Sequence, residues 1–344
     1  MPKWTNEQQM AISKEGKNII VSAGAGSGKT AVLTARVIRK LKDGIDIDKL
    51  LVLTFTNEAS NEMKNRIRKA IFEEPSLKKQ LDYIDSSYIT TFDSYAFSVV
   101  RKYHYVLGIP KDISIIDSSV INIKKEEFLE EIFNDLYESK DEAFLKMISD
   151  FTVKDDKEIK TQIFRINNSL DLKYDKDSYL DKYLDSYYNK DYVDKLISDY
   201  LEVINHKKEE IIDIYKEILL VEEDKKIEEY KECFKKLLEA SNYLEIKQSL
   251  DISMPRIVKY SKELKQSIKE KLEELKKFTF FNSVEEVKET YLSTYSYVKV
   301  ILDIIKKLDD KVNSYKQKNN VYEFTDIAKM AIEIVKNNKE IPKN

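Results

Sequence analysis

The sequence predicts an α/β module built on a parallel sheet, followed by a long and almost wholly helical stretch. Three observations carry this. Asn18 to Thr30, NIIVSAGAGSGKT, is an apolar run, a glycine-rich turn and the start of a helix. All six glycines (Gly16, Gly24, Gly26, Gly28, Gly44 and Gly108) lie in the first 108 residues. Tight turns and phosphate loops need glycine, whereas helices joined by polar turns do not. Up to about Pro110, apolar strand patterns alternate with amphipathic helical ones, which implies βαβ crossovers and a parallel sheet.

Taken in order, Trp4 to Ile12 reads as a short helix with Thr5 or Asn6 as its N-cap. Ile19 to Ser22 is expected to be the first strand. Gly24, Gly26 and Gly28 then let the backbone curl so that successive N–H groups face an anion, and the dipole of the following helix favours the same charge. Lys29 would reach the outer phosphates of a nucleoside triphosphate, and the Thr30 hydroxyl would ligate the Mg²⁺ that bridges them. Ala23 opens the pattern in place of glycine, so the match is to the looser [AG]xxxxGK[ST] form. The helix after it shows Val32, Leu33, Val37, Ile38 and Leu41 on one face.

Lys49 to Thr56, KLLVLTFT, is a continuous apolar strand of the kind buried in a parallel sheet. Asn57 is expected to cap the next helix, which ends before Pro75. Tyr88 to Phe92 is a third strand, Asp93 starts a helix to about Leu107, and Ile113 to Ile116 is a short strand. From Ser118 to about Tyr315 the pattern is helical. In RIVKYSKELKQSIKEKLEELKKF, residues Leu264, Ile268, Leu272 and Leu275 step along one face. Tyr179, Tyr183 and Tyr187 form a stripe that suits either packing or base stacking. Val321 to Val335 returns as an amphipathic helix with fewer charges, before the polar end NNKEIPKN.

Composition sets the bounds. With 344 residues there is room for two or three domains. A formal net charge of -3 excludes the global basic field of small DNA-binding domains, so any nucleic-acid contact must be local. One cysteine, Cys233, rules out a disulfide framework and suits a reducing compartment. No apolar run of about 18 residues occurs, and no membrane segment is expected. The expectation is a soluble cytoplasmic protein.

Three further pieces join the phosphate loop. The Gln8 amide can offer a donor and an acceptor to an adenine edge. Phe55, Thr56 and Asn57 follow an apolar strand at its carboxyl end, where α/β sheets bind ligands. ITTFDSYA repeats that arrangement with Thr91 and Phe92. Exposed aromatics beside hydrogen-bonding groups are what single-stranded-DNA platforms use. The alternative for Phe55 is a core position at the end of LLVLTF.

AGAGSGKT, TFTNEASNEMKNRI and TTFDSYAFSVVRKY, in this order, resemble the first motifs of the UvrD/Rep DNA helicases of superfamily 1. The likeness is specific over residues 4–117 and weak over 321–335. AVLTARVIRKL and the long helical stretch look more like the AddA-type helicase–nuclease subunits within that family. The resemblance implies a RecA-like P-loop NTPase domain with a parallel sheet (1–117, first part). It implies a large all-α inserted subdomain (118–315) and a return to the first domain (316–344). It implies that Gln8 reads adenine, that Ala25, Gly26, Ser27, Gly28, Lys29 and Thr30 hold Mg²⁺·ATP, and that Lys29 and Thr30 act on the transferred phosphoryl group. Phe55, Thr56, Asn57, Thr91 and Phe92 would meet single-stranded DNA.

Two departures stand out. Many relatives carry histidine where this chain has Asp93, which suits a helix N-cap better than contact with a DNA phosphate. The family's acidic strand, of DE-x-Q-D type, has no counterpart, since Asp141-Glu142 sits in the polar helix SKDEAF. The chain is therefore expected to be the N-terminal part of a longer helicase, stopping before the acidic Walker B strand. Its partners would be a second RecA-like domain and a nuclease partner subunit. A nucleotide- and DNA-binding module without hydrolysis, or a P-loop NTPase of another class, are the alternatives.

Overall fold

The computed structural model describes residues 4–16, 18–256 and 261–337, the side chain of Asp224 excepted. The chain divides into two compact units, Met1–Ile123 with Asn313–Asn344, and Lys124–Val312.

The first unit opens with α1 (Asn6–Ser13), started by Thr5. Then come α2 (Lys29–Lys42), β1 (Leu51–Thr54), α3 (Asn57–Phe72), β2 (Tyr88–Thr91), α4 (Phe92–Lys102) and β3 (Ser114–Ile115). β1 and β2 pair in parallel, with Leu51 opposite Tyr88 and Thr54 opposite Thr91. The chain between them runs through α3, so this is a βαβ unit. Its core joins Val37 and Leu41 of α2, Val52 of β1, Met63, Ile67 and Ile71 of α3, and Ile89 of β2. The helix that leaves the phosphate loop and the two strands thus share one apolar core.

Three expectations are corrected here. Ile19 to Ser22 forms no strand; Ile20 is 97% and Val21 56% exposed. β-branched residues supply propensity, but a strand exists only with a ladder partner, and neither ladder among the described residues includes this run. Asn57 does not cap α3, because Thr56 does, accepting from the Ala59 N–H at 3.1 Å. Asp93 does not cap α4. Thr91 accepts from the Ser94 N–H at 3.2 Å, and Asp93 lies exposed in the first turn, where a carboxylate complements the helix dipole.

The middle of the chain is built of helices joined by turns and irregular segments, with no strand among its described residues between 118 and 320. The helices are α5 (Ser118–Glu138), α6 (Glu142–Phe151), α7 (Lys157–Leu170), α8 (Lys176–Tyr187), α9 (Lys190–Val221), α10 (Asp224–Glu239), α11 (Tyr243–Gln248), α12 (Lys262–Phe278), α13 (Val284–Ser293) and α14 (Tyr295–Asn319). Residues 257–260 of the run read as one helix with α12 lie outside the described residues. Ile268, Leu272 and Leu275 of α12 are buried, with Leu264 partly so, against Ile204, Ile211, Tyr215 and Ile218 of α9. That is the face the sequence spacing marks. The tyrosine stripe packs on itself: the rings of Tyr179 and Tyr183 meet edge to face at 5.6 Å, and those of Tyr183 and Tyr187 lie 4.6 Å apart, tilted by 44°.

One polar cluster is buried among these helices. The Lys176 ammonium bridges Asp171 and Asp309, each at 2.6 Å. Lys125 pairs with Asp171 and donates to Asn168 at 2.7 Å. Asn167 donates to Asp309 at 2.8 Å.

After α14, Asn320 takes a left-handed backbone conformation, which asparagine tolerates, and turns the chain into β4 (Val321–Tyr322). β4 pairs in parallel with β3, Ser114 opposite Val321. α15 (Phe324–Asn337) then buries Ile327 and Ile334 with Val100 of α4 and Ile113. The sheet expected as one is two separate two-stranded parallel ladders. The polar end at 338–344 lies outside the described residues. Among the described residues, no helix is long and apolar enough to cross a membrane.

Candidate functional site

The loop between Ala23 and Thr30 is held by its own short contacts. Gly26 and Gly28 have φ of 76° and 80°, left-handed values that a side chain would strain. The Ser27 hydroxyl donates to the Gly24 carbonyl at 2.8 Å, closing the turn. α2 begins directly after Gly28, with no side-chain cap and no acidic residue in its first turn. Its last turn carries Arg39, Lys40 and Lys42, cations at the negative end of the dipole. A helix N-terminus without a capping carboxylate keeps its orphan N–H groups for an anion. Lys29 is exposed, its Nζ 3.1 Å from the Ala23 carbonyl at the mouth of the same loop. Thr30 is half-buried in the first turn of α2.

Gln8 is joined to this loop. Thr5 and Gln8 form a capping box at the start of α1: Gln8 N–H donates to Thr5 Oγ1 at 3.2 Å, and Thr5 N–H donates to Gln8 Oε1 at 2.9 Å. The other end of the same amide, Nε2, donates to the Ser27 carbonyl at 3.0 Å. Gln8 therefore spans the helix start and the phosphate loop. A Cβ at Gly28 would stand 3.4 Å from that Nε2, at van der Waals contact, so the left-handed φ and not the space is what asks for glycine there. The residues fit a nucleoside triphosphate: an uncapped helix end, a lysine at the loop mouth and an amide on its flank.

The second constellation lies at the carboxyl ends of β1 and β2. The register that sets Thr54 opposite Thr91 brings Phe55 and Phe92 one residue beyond the same rung. Their rings lie 6.2 Å apart, tilted by 39°, and are 95% and 57% exposed. Phe55 is not a core residue. Thr56 and Asn57 are exposed beside it, the Thr56 hydroxyl engaged as the α3 cap. Thr91 is buried, and its hydroxyl serves the α4 cap and Ser94 Oγ at 2.9 Å. It faces the protein, while Phe92 faces outward.

Sequence reasoning passed over two residues here. Arg36 and Arg39 of α2 hold the C-terminal carbonyls of α1. Their signal was the basic pair inside AVLTARVIRKL, on the polar side of an otherwise apolar helix. Asp141-Glu142 lies at the start of α6, where Asp141 accepts from the Phe144 N–H at 2.8 Å as an N-cap. Among the described residues, no group of three or more His, Cys, Asp or Glu is placed to hold a metal ion.

Comparison with known proteins agrees with the motifs. The profile of the UvrD/REP helicase N-terminal domain matches residues 4–344. The chain is 30% identical over 371 residues to an ATP-dependent helicase/nuclease subunit of Thermoanaerobacter sp. (strain X514), covering 97% of this chain and 30% of that relative. It is 30% identical over 378 residues to the protein of the same name from Clostridioides difficile (strain 630), with 97% and 30% covered. For the Alkaliphilus oremlandii (strain OhILAs) protein of that name the identity is 28% over 372 residues, with 98% and 31% covered. The chain spans about a third of the length of these curated relatives.

Proposed function

This chain belongs to the UvrD/REP helicase N-terminal domain family, and on that premise we propose that it forms the ATP- and single-stranded-DNA-binding wall of an ATP-dependent DNA helicase or translocase. In this reading the working protein serves DNA repair or double-strand-break end processing in the cytoplasm; the relatives' name, ATP-dependent helicase/nuclease subunit, supports the helicase part of it. The observation that carries the reading is the glycine-rich loop opening the uncapped α2 with the Gln8 amide bound to its edge.

In this reading residues 1–117 and 316–344 belong to a RecA-like domain, and 118–315 are an all-α subdomain inserted in it. The backbone N–H groups of Ala25 to Thr30 hold the phosphates, Lys29 neutralises the outermost one, and the Thr30 hydroxyl holds Mg²⁺. Gln8 reads the adenine edge. Phe55 and Phe92 stack on bases of a single strand, Thr56 and Asn57 offer polar groups beside them, and buried Thr91 fixes the helix start that presents Phe92. Bound Mg²⁺·ATP supplies the hydrolysable anhydride. A second RecA-like domain closes on this wall, and a nuclease subunit is the further partner.

Titration of the chain with a fluorescent ATP analogue and Mg²⁺ tests this. Weak binding is expected from one wall of a cleft. Lys29→Ala should weaken it by at least about tenfold, since a charge-assisted phosphate contact is lost. Equal affinities would contradict the assignment.

A further inference from the structure

α1 has eight residues, too few to be stable as an isolated helix, so its position depends on what holds its ends. At its N-terminal end Gln8 touches Ser27 of the phosphate loop. At its C-terminal end one guanidinium nitrogen of Arg36 donates to the carbonyls of Ala11 at 2.8 Å and Lys14 at 2.9 Å, with Ile12 at 3.5 Å. Arg39 donates to the Ile12 carbonyl at 3.1 Å. These are the orphan acceptors of a helix end, and a cation there also complements the dipole. Glu15, just beyond α1, accepts from Lys40 at 2.9 Å, which holds its carboxyl below the usual range. The apolar anchor of α1 is Ile12, its one buried residue.

We propose that Arg36 is a positioning residue for base recognition: it fixes α1 to the helix that carries Lys29 and Thr30, so that the Gln8 amide stands at a set place relative to the phosphates. The inference rests on the reading of Gln8 as the adenine-contacting residue. Arg36 and the phosphate-binding residues are on one helix, so the distance from base reader to phosphate loop is set across a single interface, α1 on α2. The planar guanidinium suits several carbonyls at once, which a lysine ammonium on a flexible stem does less well. Loss of Arg36 therefore affects the base-reading end of the site and leaves the phosphate end, built from the α2 backbone and Lys29, as it is.

The test compares mant-ATP and mant-GTP binding, with inorganic tripolyphosphate as competitor, in the 344-residue chain with Mg²⁺. The wild type is expected to prefer mant-ATP, and Gln8→Ala to lose about fivefold of that preference, the worth of one hydrogen-bonded amide. Arg36→Met should fall to the Gln8→Ala ratio with tripolyphosphate affinity retained, and the double variant should lose no more than Gln8→Ala alone. Arg36→Lys should fold and show an intermediate ratio, and it decides the matter if Arg36→Met does not melt cooperatively. A wild-type ratio in Arg36→Met, or in Arg36→Lys where that variant decides, overturns the proposal. So do additive losses in the double variant, or a parallel loss of tripolyphosphate binding. If wild type and Gln8→Ala share one ratio, the Gln8 reading itself fails and the clamp with it. A Gln8 effect without an Arg36 effect removes the clamp alone.

Discussion

At the scale of single residues, the two exposed phenylalanines and the two capping threonines separate contact from support. Phe55 is almost wholly exposed, so its removal takes away no core packing. Phe55→Ala should cost under about 0.5 kcal/mol of stability, the usual range for a surface change. It should weaken oligo-dT binding by about tenfold, from a stacking worth of ~1–3 kcal/mol per base. Thermal melting and fluorescence anisotropy on one preparation measure both. A large fall in melting temperature with binding kept would move the DNA path elsewhere. Thr91→Ala should do the reverse, costing about 1 kcal/mol through the lost cap. Thr91→Ser should restore most of it, because the serine hydroxyl can accept from the Ser94 N–H in the same way.

At the scale of elements, the buried cluster between α5, α7, α8 and α14 makes a prediction of its own. Burial pushes the Asp171 carboxyl up, but the Lys125 and Lys176 ammoniums pull it further, to a value below the usual range. Its stabilisation is present above the ordinary aspartate range and is lost as pH falls through the lowered folded value. Asp309 runs the other way: burial outweighs Lys176 and Asn167 and raises it, so its contribution belongs to low pH and is lost as pH rises through the raised value. Asp171→Asn should destabilise by about 3 kcal/mol at neutral pH, because two buried ammoniums lose their shared carboxylate. Asp309→Asn should cost less, since the amide oxygen can still accept from Lys176 and Asn167. Urea unfolding should show the Asp171→Asn deficit shrinking as pH falls below the ordinary aspartate range, where the wild-type carboxylate protonates. Equal, pH-independent costs would contradict this. None of this cluster is visible in the sequence, where Lys125, Asp171 and Asp309 stand among the many other charged residues of the helical stretch. Buried ion pairs have no local pattern; they arise when distant helices meet. What was legible was local: the turn chemistry at Gly26 and Gly28, the α12 face, and the strand ends at Phe55 and Phe92. Caps were misread by one or two residues at Asn57 and Asp93, because threonine and the neighbouring polar residue have similar capping strength. The Ile19–Ser22 strand was misread because propensity does not supply a partner.

At the scale of the whole molecule, the phosphate loop, the β1–β2 ends and the α1 clamp all belong to the unit formed by the two ends of the chain, while Lys124–Val312 is a helical unit of its own. Hydrolysis by this chain alone should stay near background, with or without oligo-dT. Of the acidic pair, Asp141 caps α6 and Glu142 lies in its first turn, and no acidic cluster among the described residues is placed to hold a metal ion. Robust DNA-stimulated phosphate release in a coupled assay would show an acidic motif at work that these residues do not reveal. Hydrogen–deuterium exchange with and without Mg²⁺·ATP tests nucleotide binding at the loop most directly. Protection should appear at the amides of residues 24–32 and in the first turn of α1 around Gln8, and be absent across the helical unit. Unchanged exchange over residues 24–32 at saturating nucleotide would contradict it.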